Sequence, residues 1–452
     1  MPLISETYRQ KIKEALKLAA PIVIGQLGLV LMGFFDTVQV GGLGSVYMAA
    51  SGVSNSVYFL FNLLGMGVLF AVSPLVSEAL GERHGWKAIG VMRSALKVAL
   101  ALSVFFYCIM VVVTQHFSLF KESAHITDLS QRFLTILNYS TPALMFFTVG
   151  KQFMDGQGRT KVSMVITLIG VVCNVLLNWI LIYGKLGCPA LGIEGAAIAT
   201  GTSRALMCIM LAVYIIRDAK IKALIKEFRF SAVSEKSYVK QILIIGIPSG
   251  LQMFFEVAAF SAGQIMCGWI SESSLAAYQV AISLASITFM MVSGIAAAGT
   301  IMSGYAFGSK DNASLRVTGN SIYLLTFCSQ FIFAIIFFLF SNLLPQMYTG
   351  DKEVISIASS LIILAAIFQL SDGFQVAGSG ILRGMQDVRI PSIIAFTSYW
   401  LIMVPLCYIL AFNFKMGVNG VWVGFVVGLS IAAVLMYARF RYKLKHIEFS
   451  EL

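Results

Sequence analysis

Three acidic side chains sit inside runs that are otherwise apolar: Asp36 in GFFDTVQVGG, Glu256 in LQMFFEVAAFS and Asp372 in FQLSDGFQVAGSG. A carboxylate in a membrane segment is costly. It marks an ion or substrate pathway unless it is neutral and merely hydrogen-bonded to a neighbouring helix. No lysine occupies the middle of any such run, and Arg204 alone offers an internal cation. Three acids with so little positive charge around them point to protonation or to bound cations. Burial raises a carboxyl pKa and a nearby cation lowers it, so one group can hold a proton, a sodium ion or a cationic substrate in turn. Competition for one site is the simplest chemistry for antiport. Asn174 and Asn178, four residues apart, share one helical face. With Asp36 and Thr200 they form an expected polar cluster, either an ion site or ordinary glue between helices.

The elements that must hold these residues follow from composition. Of 452 residues, 58% are hydrophobic and 12% are charged, half the charge of an ordinary soluble domain at about 25%. About 20 apolar residues of helix cross a hydrocarbon core. That ruler predicts an all-α polytopic membrane protein of twelve spans, near 16–40, 48–80, 92–114, 128–150, 162–184, 194–216, 239–268, 275–306, 316–342, 354–380, 391–412 and 418–438. The long second and eighth spans are expected to include interfacial turns. Pro21 lies inside the first span, where a missing backbone donor makes either a hinge or a fixed bend. No removable leader is evident in Met1 to Leu18, so the first apolar run is expected to stay in the membrane.

Basic residues set the orientation. Of 32 lysines and arginines, 26 fall in alternate loops and at the two termini, which places both termini in the cytoplasm. Only Lys121, Arg132, Lys185, Lys352 and Lys415 fall on the other side, and Arg204 lies within a span. The net charge of +11 is therefore an orientation signal facing anionic lipid, and no compact basic region suggests nucleic acid.

The longest polar stretch, Arg217–Lys240, divides the chain into a lobe over 1–216, a basic linker over 217–238 and a lobe over 239–452. The lobes repeat each other. Pro21 and Pro248, Gly41 and Gly268, and Gly81 and Gly308 all keep one offset of 227 residues. Six spans per repeat make the repeats parallel, and such folds place substrate at the seam between lobes that rock against each other. No phosphate loop, H-E-x-x-H or G-x-S-x-G occurs, so neither ATP hydrolysis nor these enzyme chemistries are expected. The seven cysteines are scattered and carry no metal spacing.

Together these landmarks resemble the multidrug and toxic compound extrusion (MATE) family, and its NorM-like branch in particular. They are Pro21 followed by Asp36, DTVQVGGLG, Glu256 ahead of GWISESSLAAYQ, RGMQD after Asp372, and LGIEGAAIAT. The resemblance spans the whole chain. It implies two six-helix bundles around a central cavity and efflux of organic cations against sodium or protons, with no other cofactor, by a monomer in the bacterial cytoplasmic membrane. It also implies that Glu256 and Asp372 are the second-lobe cation site, that Asp351 in MYTGD is a further acid near it, and that Asp36, Asn174, Asn178 and Thr200 form the first-lobe coupling network. Two tyrosines found in some relatives are Phe289 and Phe368 here, which removes oxygens from the second-lobe site. Other readings are a lipid-linked precursor flippase, which calls for a cationic cavity that the near absence of mid-span Lys and Arg argues against, and a passive channel or membrane scaffold.

Overall fold

The structure is a computed structural model that describes residues 6–120, 123–229 and 235–447. Lipid offers no partner to backbone N–H and C=O groups, so apolar runs of this length close their hydrogen bonds within helices. The first half comprises α1 (Glu6–Gly41), α2 (Ser45–Leu69), α3 (Val72–Gly81), α4 (Trp86–Gln115), α5 (Ala124–Asn138), α6 (Thr141–Gly156), α7 (Thr160–Tyr183) and α8 (Gly192–Arg217). A short α9 (Ala219–Arg229) follows in the linker. The second half comprises α10 (Glu235–Ile270), α11 (Glu272–Gly308), α12 (Asn312–Leu339), α13 (Lys352–Gly384), α14 (Arg389–Phe396), α15 (Val404–Tyr408) and α16 (Gly417–His446). No strand occurs among the described residues. Lys121, one of the five basic residues counted on the outer side, lies outside the described residues.

Among the described residues eleven segments are long and apolar enough to span, as single helices or nearly so, and α5 with α6 makes a twelfth that bends by 47°. The bend has a chemical cause. Pro142 in the first turn of α6 has no N–H to carry the helix through. Tyr139 and Ser140 donate instead to Ile136 and Leu137, tightening the last turn of α5. The expected turn within the second span is present between α2 and α3. The eighth span differs from expectation, because α11 runs unbroken for 37 residues. At about 1.5 Å per residue it is far longer than a 30 Å hydrocarbon core. In the eleventh span, π-helical turns at Thr397–Met403 and Ile409–Asn413 flank α15, which opens with Pro405 at its second residue.

The chain forms two compact units, one of Ile24–Gly250 and one of Leu251–Leu452 with Met1–Val23. Helices α1 and α10 each change unit just beyond an internal proline, Pro21 or Pro248. Within the first unit, a Cβ on Gly67 would overlap Gly250 Cα, and one on Gly246 would overlap the Val68 carbonyl. Within the second, a Cβ on Gly294 would run into Val23 and Ala19. These two crossings are the same contact at the 227-residue offset, since Gly67 corresponds to Gly294 and Gly250 to Val23. The linker expected at 217–238 contributes α9 to the first unit, and its residues 230–234 lie outside the described residues. Ile221 is buried, and the Arg93 guanidinium stacks 5.0 Å over the Phe228 ring.

Small residues also set the twelfth span against the eleventh, as expected where lipid gives helices no hydrophobic drive to associate. Gly420, Gly424 and Gly428 recur every four residues on α16. Added Cβ atoms there would meet Ala411, Cys407 and Met403 respectively. A Gly424→Val change forces a methyl group onto the Cys407 backbone, a strain of about 1–3 kcal/mol. It is expected to lower the thermal midpoint of the purified protein by fluorescence-detected size exclusion. Gly33→Ala, with nothing within 4 Å of its added Cβ, is expected to leave the midpoint unchanged or slightly raised. Equal midpoints for the two variants would refute the close-packing account.

Candidate ion-binding sites

Asp36 comes late in α1 and points toward α7 and α8. Its carboxylate accepts from Asn178 Nδ2 through one oxygen and from Thr200 Oγ1 at 3.3 Å through the other. Asn174 closes the ring, donating to Thr200 Oγ1 at 3.4 Å and accepting from Asn178 at 3.5 Å. Both asparagines are fully buried. The cluster is held in register from behind: Tyr183 donates to the Gln39 carbonyl at 2.7 Å, and the Gln39 side chain donates to the Val175 carbonyl at 3.2 Å. These bonds lock the rotation of α1 on α7 one turn beyond Asp36. A small recess bounded by Asp36, Ser51, Asn55, Phe133, Ala196 and Thr200 opens onto the carboxylate. The four first-lobe residues singled out in the sequence are thus brought together.

The second unit holds a different arrangement. Glu256 on α10 and Asp372 on α13 act electrostatically on each other, and Asp372 is only 4% exposed. Neither carboxyl makes a hydrogen bond or ion pair with another described residue, and Asp372 Oδ1 is buried without a partner. Around them α13 contributes Gln369 and Gln375, which also carry unpartnered side-chain atoms. One turn from Glu256, Gln252 donates to Ser379 Oγ at 2.9 Å and ties α10 to α13. The ion pairs elsewhere, such as Lys151–Asp155 at 2.8 Å, Arg159–Asp218 at 2.6 Å and Arg439–Asp387 at 2.7 Å, lie at span ends. In the linker, the Arg159 guanidinium holds the Asp218 carboxyl down to about 2.

Two residues near the acid pair were missed in the sequence. Arg383, counted there with the cytoplasmic loops, belongs to the last turn of α13, and its charge acts on Glu256. Its Nη2 is 3.5 Å from Ser379 Oγ. Tyr399 is fully buried with no partner for its hydroxyl, and both acids act on it. The π turn delivers it, since neighbouring Trp400 donates to the Phe255 carbonyl at 3.2 Å, one residue before Glu256. A tyrosine in an apolar run gives no sign of this role, and only a π turn at a functional position would have hinted at it. Phe368 packs among Phe260, Trp422 and Phe425, so this position, one turn before Asp372, contributes aromatic packing and no oxygen.

Asp351 stands apart, which corrects its expected place near the acid pair. It is exposed at the N-terminus of α13, where its carboxylate accepts from the backbone N–H groups of Glu353 at 2.9 Å and Val354 at 3.5 Å. The 21 residues of helix between Asp351 and Asp372 span about 30 Å. Asp351 is a helix cap.

The MatE family pattern matches residues 21–180 and again 248–409, so both matches open on the paired prolines. The chain is 34% identical over 451 residues to multidrug resistance protein MdtK of Yersinia enterocolitica, covering 97% of each chain. It is 32% identical over 448 residues to the protein of the same name from Yersinia pseudotuberculosis, again covering 97% of each. Among solved structures, an outward-facing multidrug resistance MATE family transporter matches with a TM-score of 0.87 at 22% identity, over 96% of each chain. The eukaryotic MATE transporter AtDTX14 matches with a TM-score of 0.86 at 19% identity, over 97% of this chain and 98% of that one. The chain belongs to the MatE family of multi-pass membrane transporters.

An Asp351→Ala variant is expected to lose about 1 kcal/mol of stability through the lost cap. It should still export ethidium from loaded vesicles at the wild-type rate. Loss of export as deep as that of Asp372→Asn would return Asp351 to the transport site.

Proposed function

We propose that this protein is a secondary active multidrug exporter. It moves small organic cations outward across the bacterial cytoplasmic membrane by antiport with protons or sodium ions, through alternating access and with both termini in the cytoplasm. The observation that carries the reading is the pair of separate carboxylate centres set within spans, half-buried at Asp36 and Glu256 and buried at Asp372, with no ion pair to another described residue. One is Asp36 with its amide and hydroxyl donors. The other is Glu256 with Asp372. Charge so placed must be matched by something that arrives and leaves.

The two centres divide the work by their chemistry. Two carboxyls within each other's field cannot both ionise without a cation between or beside them. The second unit therefore holds a proton, a monovalent cation such as Na+, or a cationic substrate. Tyr399 supplies an oxygen to that site in place of those lost at Phe289 and Phe368. Asp36, which accepts from neutral amide and hydroxyl donors, is the coupling acid of the first unit, with Asn174, Asn178 and Thr200 as its polar shell. Pro21 and Pro248 are the bending points of the two helices that carry the acids. The names of the MdtK relatives support drugs as substrates.

Inverted vesicles under an imposed proton or sodium gradient test this. Wild type is expected to accumulate ethidium under at least one gradient. Asp36→Asn, Glu256→Gln and Asp372→Asn should each reduce gradient-driven accumulation at least tenfold with expression retained. Wild-type accumulation by all three variants would defeat the assignment of the sites, and no response to either gradient would defeat antiport.

A further inference from the structure

Arg204 is a basic residue that the apolar spans keep inside the first unit, and it does not pair with the acid beside it. Its Nη1 donates to Ser140 Oγ at 2.9 Å, and its guanidinium lies 5.0 Å over the ring of Tyr58. Both contacts are at the α5–α6 elbow. Ser140 is the residue at which the span turns, and Tyr58 reaches the first residue of α6 through a 3.0 Å hydrogen bond with Thr141, which in turn donates to Asn138 at 3.1 Å. On α8, Arg204 sits one helical turn beyond Thr200, whose hydroxyl donates to Asp36. An arginine side chain is long enough to cover that turn. The unit thus holds one carboxylate and one guanidinium within reach of each other, each engaged with neutral partners.

The other charges on the elements around α8 are accounted for. Arg132 pairs with Asp128 and Glu194 at one end of the span. Lys151 pairs with Asp155, and Arg159 with Asp218, at the other. His125, Lys161 and Arg217 are exposed at span ends, and the charged residues of α9 lie beyond Arg217. From α1, α2 and α7 no further charge enters the interior of the unit.

We propose that Arg204 is a tethered cation that competes with the coupling ion for Asp36. It rests on Ser140 and Tyr58 while Asp36 holds a proton or a sodium ion. When that ion leaves, the guanidinium closes onto the carboxylate and releases the α5–α6 elbow it had braced. Departure of the ion is thereby coupled to a change in the bent span. Arg204 acts through Asp36 and is a positioning residue, and the inference rests on the reading of Asp36 as a coupling acid.

The test uses the full-length protein in liposomes, with ethidium export measured against Na+ concentration and pH for wild type, Arg204→Gln, Ser140→Ala and Asp36→Asn. Removing the tethered competitor in Arg204→Gln should lower the half-maximal Na+ concentration several-fold, or raise the pH midpoint if protons drive export. Ser140→Ala removes the resting place and frees the guanidinium, so both midpoints should shift the opposite way. A merely structural role predicts lower yield or rate with no such pair of opposite shifts. Unmoved midpoints in both variants, with ion dependence lost in Asp36→Asn, overturn the role of Arg204 alone. Wild-type ion dependence in Asp36→Asn overturns the reading of Asp36 and the inference with it. Should Arg204→Gln fail to fold, Ser140→Ala decides, and an unmoved midpoint there overturns the proposal.

Discussion

An ionised carboxylate inside a membrane span has lost its water, and the rest of this chain is arranged around what stands in for that water. In the first unit the substitutes are built in. Asn178 from α7 and Thr200 from α8 donate to Asp36 with Asn174 bonded to both, and the Gln39–Tyr183 clasp keeps the carboxylate turned toward them. In the second unit nothing comparable is supplied. Asp372 keeps a buried oxygen with no partner, Glu256 adds a second carboxyl to the same region, and Tyr399 leaves a hydroxyl without a partner.

Holding such groups demands rigid, close-packed helices, and small residues provide the closeness. The stripe of Gly420, Gly424 and Gly428 draws α16 against the backbone of the eleventh span, the same span whose π turn presents Tyr399 and Trp400. Gly67 with Gly250, and Gly294 with Val23, let α10 and α1 pass close by α2 and α11 at equivalent points in the two units. Both crossings lie upstream of the acids, Asp36 on α1 and Glu256 on α10. Both follow a proline. The scaffold is therefore duplicated down to individual contacts, while the acids are not: the residue equivalent to Asp36 is Gly263, and that equivalent to Glu256 is Leu29.

The twelve spans were legible because lipid imposes one length and one polarity on every crossing segment. Asp36, Glu256 and Asp372 were legible because an acid in an apolar run has few innocent explanations, and the i, i+4 spacing of Asn174 and Asn178 located their common face. Other features depend on tertiary placement that no local pattern encodes. Arg383 looked like a loop residue because charge usually ends a span, yet α13 carries it inward through its last turn. Tyr399 reads as one more aromatic until the π turn aims it. Asp351 was misplaced by resemblance, although an aspartate just ahead of Lys-Glu-Val and a long apolar helix carries the ordinary mark of an N-cap. The elbow at Ser140 was written in the following Thr-Pro, but its link to Arg204 joins residues 64 apart in sequence.

An exporter that couples ion to drug must do so in both directions. In sealed proteoliposomes with no imposed ion gradient, a steep ethidium gradient should itself drive proton or sodium movement in the opposite direction, read by an internal pH or Na+ dye. Counterflow that requires both Asp36 and the Glu256–Asp372 pair is the predicted result. Ethidium that equilibrates with no movement of either ion would contradict the account.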